Sequence, residues 1–99
     1  MPDRAAADSL ARSLVESGLA ACVQVLGPVL STYRWQGHVE QAGEWLCLIK
    51  TSAGRYDALL RAIERIHPYE VPEIVRFDIA GGAEKYVEWL RRSLTASAE

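Results

Sequence analysis

The stretch Cys22–Thr51 reads "CVQVLGPVLSTYRWQGHVEQAGEWLCLIKT", and its reading decides the fold. Cys22, Gln24 and Leu26 alternate with Val23 and Val25, the period of a strand. Gly27-Pro28 then interrupts the ladder, because proline has no N–H to donate. "VLSTYRW" resumes strand character beyond it. The economical reading is one long strand with a bulge or kink at Gly27-Pro28. Gln36-Gly37 and Gln41-Ala42-Gly43 are both turn candidates, so a hairpin follows. Its return limb, Glu44–Thr51, is apolar on both faces and predicts an inner strand.

Helices are expected on either side. From Asp3 to Gly18, apolar residues recur at Ala7, Leu10, Ala11, Leu14 and Val15. Asp3 is placed to cap this helix and Gly18 to end it in a left-handed turn. Ser52 to Ile66 predicts a second helix, with Tyr56, Leu59, Leu60, Ile63 and Ile66 on one face. Pro68 stops it, and His67 sits where helical angles are disfavoured. Glu73–Ala80, "EIVRFDIA", alternates as a strand. Gly81-Gly82 turns the chain into a third helix, Ala83–Leu94, with Tyr86, Val87, Leu90 and Leu94 inward. The tail "TASAE", Thr95–Glu99, is expected to fray. A mostly antiparallel sheet with helices packed on it is an α+β arrangement. Shifted by one element, it is the split βαβ of ferredoxin-like folds.

The totals bound the function. The 99 residues suit one domain spanning 1–99, and 49% hydrophobic residues exclude a disordered chain. Eleven basic and thirteen acidic residues are mixed, giving a net charge of -2. No basic run reads phosphates, so nucleic acid is not the expected partner. No apolar run approaches the ~20 residues of a membrane span. The N-terminus lacks a secretion pattern, and a cytoplasmic protein is expected. Cys22 and Cys47, both in apolar stretches, read as buried, reduced thiols. No CxxC or HxxxH spacing suggests structural zinc.

The chemistry concentrates in "HPYEVPE", His67–Glu73. It reads structurally as a helix stop, an aromatic anchor and a rigid strand entry. It also reads as a site, with His67 offering an imidazole to a metal and Glu70 an oxygen. A third reading has them as base and orienter. No nucleophile or phosphate loop accompanies them, so no catalytic residue is assigned and no enzyme is expected. Copper(II) suits an imidazole–oxygen pair, and a divalent metal is the only cofactor expected, with no organic one. Trp35 is an interface or stacking candidate. Lys50, in an apolar setting, is placed to snorkel or to bind an anion in a cleft near Glu70.

Four stretches together resemble the CutA family of divalent-cation tolerance proteins. They are "ESGLAACVQVLGPVLSTYRWQGHVE" (Glu16–Glu40), "LIKT" (Leu48–Thr51), "HPYEVPEI" (His67–Ile74) and "YVEWLRRSL" (Tyr86–Leu94). The resemblance implies a ferredoxin-like, PII-like fold, a homotrimer, and a link to copper and other divalent metals. Copper binding in that family implicates a first-strand cysteine and paired histidines at the HPY motif. Here Ile66 stands at the first histidine position, and only His67 matches. By the PII comparison, Lys50, Tyr69 and Trp35 become ligand-cleft candidates, and a sensor of small anions is the alternative function. Family members open with an apolar strand ending in a "TAPD"-like turn. "MPD", Met1–Asp3, matches only its tail. The expectation is therefore a sheet lacking that first strand, with the native chain starting upstream.

Overall fold

The computed structural model describes residues 1–97 and places α1 at Arg4–Glu16, β1 at Cys22–Trp35, β2 at His38–Lys50, α2 at Tyr56–Ile66 and α3 at Glu84–Ser97. A single 3-10 turn, Ala53–Arg55, leads into α2. The element order is the α+β one read from the sequence, except for the strand expected at Glu73–Ala80. The tail Thr95–Glu99 was expected to fray, but Thr95–Ser97 continue α3, and residues 98–99 lie outside the described residues.

β1 and β2 form an antiparallel hairpin whose ladder runs from Cys22↔Lys50 to Trp35↔His38. The turn is Gln36-Gly37, at φ 48 and 83. Positive φ at both central residues is the signature of the primed turns that match strand twist. The alternative turn at 41–43 lies inside β2 instead. Leu26 pairs with Leu46 and Val29 with Glu44, so Gly27 and Pro28 together face Trp45 in a bulge. The peptide between them is cis.

α1 begins and ends as its sequence dictates. Asp3 Oδ1 accepts the N–H of Ala6 at 2.7 Å, relieving one of the unpaired donors of the first turn. At the other end, Gly18 takes φ 77. The N–H of Gly18 reaches Val15 O at 3.1 Å and that of Leu19 reaches Leu14 O at 3.0 Å, a Schellman closure. Asp3→Ala should cost about 0.5–2 kcal/mol, and Asp3→Asn much less. Urea midpoints of the two variants check this, and equal midpoints would remove the cap from the account.

The core lies between the helices and one face of the hairpin. Leu10, Leu14, Ala20, Leu59, Ala62 and Ile63 form its main cluster, with Met1, Leu19, Val23, Ile49 and Ile74 packed against it. Ala21, Leu90 and Leu94 make a second cluster. Thr51 Oγ1 donates to Leu19 O at 2.7 Å, and an Arg55 guanidinium N–H to Leu94 O at 2.9 Å. These bonds tie the end of β2 to the end of α1, and the entry of α2 to α3.

Three expectations need correcting. Residues 73–80 were predicted as a strand, yet residues 72–80 have no ladder partner, and the sheet of the described residues has two strands. Alternation selects an extended backbone, but only a neighbouring strand makes it a rung. Cys22 and Cys47 are free but half-buried rather than buried. Finally, Ile66 and Tyr86, read as inward, are exposed. They lie at the ends of their helices, where little chain remains to cover them.

Candidate functional site

The bulge in β1 brings the segment after α2 against the hairpin. Ser31 follows the bulge, Glu44 lies beside it, and His67 and Tyr69 sit where Pro68 ends α2. The Ser31 hydroxyl donates to the Glu44 carboxylate and lowers its pKa. Burial opposes that shift, while the Tyr69 hydroxyl, the amino terminus and His67 reinforce it. Burial, and then the hydrogen bond to Glu44, push the Tyr69 phenol upward. Burial and the positive amino terminus lower His67, against the pull of Glu44. Tyr69 donates its backbone N–H to His67 Nδ1 at 3.1 Å, and the two rings lie 4.6 Å apart.

This geometry fixes what the imidazole can do. A neutral ring accepting at Nδ1 carries its proton on Nε2. Offering Nε2 to a metal would require moving that proton to Nδ1 and losing the Tyr69 bond. No group of three His, Cys, Asp or Glu side chains among the described residues is placed to hold a metal ion.

The expected site residues are dispersed. His67 and Tyr69 are together, but the carboxylate that bonds Tyr69 and acts on His67 through its charge is Glu44. Glu70 is exposed and has no contact among those described with either. Lys50 Nζ meets Gln24 Oε1 at one end of the ladder, and Trp35 closes the other end opposite His38. Thirteen residues of strand separate those ends, roughly 40 Å. Cys47 is half-buried, and burial raises its pKa. Glu44 was missed because 23 residues separate it from His67. Its only sequence signal was a carboxylate opposite a Gly-Pro bulge.

Acidification should cost stability in two stages. The folded-state pKa values of His67 and Glu44 are both lowered. In each case the unfolded chain takes up the proton first, so stability is full above the unfolded pKa and is lost as pH falls. The His67 stage begins near pH 6.5 and the Glu44 stage near pH 4.5. His67→Gln should flatten the melting-temperature profile between about pH 7 and 5.5. Glu44→Gln should flatten it only in the lower range. An unchanged profile for His67→Gln would contradict the assignment.

A helix-backed hairpin, crossing helices and an HPY segment closing on the hairpin bulge define a class: small α+β proteins of ferredoxin-like fold. Residues 1–93 match the model of the CutA1 divalent ion tolerance protein family. The chain is 42% identical over 93 residues to the divalent-cation tolerance protein CutA of Thermus thermophilus, covering 94% of this chain and 90% of that protein. The chloroplastic protein CutA of Arabidopsis thaliana is 40% identical over 93 residues, which span 94% of this chain and 51% of that one. The solved structure of the Thermus thermophilus protein superposes with a TM-score of 0.91 over 94% of this chain and 90% of its own. The chain belongs to the CutA1 divalent ion tolerance family.

Proposed function

We propose that the protein acts as a non-enzymatic, homotrimeric divalent-cation tolerance protein that engages copper(II) weakly. The supporting observation is family membership along residues 1–93, joined to a hairpin whose outer face is unpaired. Leu26, Leu46 and Leu48 are all exposed there. Contiguous apolar surface of this kind marks an association face, and a second and third copy are the occupants we assign to it. The weak metal contact rests on His67, with Glu70 or Glu44 as the oxygen donor. No nucleophile accompanies His67, which is why we assign no catalysis. A reducing compartment such as the cytoplasm suits the free thiols Cys22 and Cys47.

Light scattering at micromolar concentration, followed by calorimetric titration with copper(II), tests both parts. A trimer mass is expected, with binding that weakens at least severalfold in His67→Ala. A monomer mass would sink the assembly, and undiminished copper binding by His67→Ala would sink the metal assignment.

A further inference from the structure

The His67 imidazole is already committed. Its Nδ1 accepts the Tyr69 backbone N–H at 3.1 Å, and a neutral ring that accepts at Nδ1 carries its proton on Nε2. With the turn at residues 67–69 closed, neither ring nitrogen has a free lone pair. The ring as folded therefore does not fit a metal ion. Both ways of fitting one break the same bond. Coordination at Nδ1 takes the lone pair that the amide now holds. Coordination at Nε2 moves that nitrogen's proton to Nδ1, where one N–H then faces another.

The turn is anchored on either side of this bond. The His67 N–H donates to Ile63 O at 2.8 Å, closing the end of α2. Tyr69 is held a second time, by its hydroxyl on the Glu44 carboxylate. Pro68, between them, has no N–H to offer in exchange. The backbone of His67 and the phenol of Tyr69 are thus fixed by other partners, and the contact left to give way is the Tyr69 amide. His67 is only half-buried, so its ring has solvent to turn into.

We infer that the Tyr69 amide is a gate on His67. It holds the imidazole in its Nε2–H form, keeps the affinity for a divalent metal low, and is released when a metal binds. Tyr69 is then a positioning residue that acts through its backbone rather than its phenol. The coupling runs both ways: whatever loosens the turn tightens metal binding, and metal binding loosens the turn by the same factor. This inference rests on the assignment of His67 as the metal contact, and its test separates the two.

The test uses the full chain with the peptide bond between Pro68 and Tyr69 replaced by an ester, which removes the Tyr69 N–H and keeps the side chain. Nitrogen-15 NMR of the metal-free protein at about pH 8, where the ring is neutral, should show the His67 proton on Nε2. In the ester form the balance should move toward Nδ1. Copper(II) should bind the ester form about two- to tenfold more tightly, the net worth of one hydrogen bond. In the unaltered protein, saturating copper(II) should speed hydrogen exchange of the Tyr69 amide, read by mass spectrometry, and leave that of the His67 amide unchanged. A metal-free ring with its proton on Nδ1, equal or weaker copper binding by the ester form, or an unmoved Tyr69 exchange rate would each overturn the gate while leaving His67 as the metal contact. Undiminished copper binding by His67→Ala would overturn that contact, and the gate with it.

Discussion

Leu14→Ala is expected to destabilise the protein by about 2–5 kcal/mol. Leu14 is 1% exposed and the largest fully buried side chain. It sits in the main cluster with Leu10, Ala20, Leu59, Ala62 and Ile63. Truncation removes the transfer free energy of the deleted carbons and leaves a cavity that α1 and α2 cannot fully close. Against a typical domain stability of roughly 5–15 kcal/mol, that is a large share. The backbone of Leu14 also accepts the bonds from Leu19 and Ala20, but alanine keeps that carbonyl. The loss is therefore one of packing alone. Urea denaturation should show a lowered midpoint with an unchanged slope. Val15→Ala, on the exposed flank, is the control and should cost much less. A Leu14→Ala cost below about 1 kcal/mol would mean that the core does not close around α1.

Gly27→Ala is the second large effect, and here the cause is overpacking. A Cβ at Gly27 would lie 2.6 Å from Trp45 Cε3, 2.7 Å from Trp45 Cδ2 and 3.1 Å from the Glu44 carbonyl oxygen. The first two distances are far inside van der Waals contact, and the ring cannot swing away freely. Its backbone is bonded on both sides by Met1, and the Arg4 guanidinium lies over its face at 6.0 Å. Strain of this kind costs about 1–3 kcal/mol, and more where backbone must move. The test is a double-mutant cycle. In a Trp45→Ala background the added methyl has room, so Gly27→Ala should lose most of its cost there. An equal cost in both backgrounds would mean the clash with Trp45 is not what matters.

The hairpin was legible because most of its signals agreed, the turn candidate at 41–43 and the return limb expected from Glu44 being the exceptions, since β2 starts at His38. Alternation, a Gly-Pro interruption and a Gln-Gly turn each named the same topology, and the structure has it. The helix boundaries were legible for the same reason, with Asp3, Gly18 and Pro68 as punctuation. Residues 73–80 were not, because a single sequence shows which backbone shape a segment prefers but not whether a neighbour will pair with it. The site was half legible. His67 and Tyr69 could be named, since proline and histidine at a helix stop are conspicuous. Glu44 could not be assigned to them, because its approach depends on the register across the bulge. Glu70 was chosen over it on proximity in sequence, and it is Glu44 that bonds Tyr69 and acts on His67 through its charge. The burial of Cys22 and Cys47 was overestimated by treating apolar flanks as cover.

The Gln36-Gly37 turn also bears on how the protein comes together in time. It closes a loop of two residues, the smallest entropic cost any contact in the sheet carries. Each rung from Trp35↔His38 back toward Cys22↔Lys50 then joins residues that the previous rung has already brought close. The hairpin can zip from its tip in microseconds without waiting for distant pieces of chain. The costly searches are those that bring α1 and α2 to its far end. There Thr51 meets Leu19 across 32 residues and Arg55 meets Leu94 across 39. The rate-setting encounters thus belong to the helical layer, which must find a hairpin already standing.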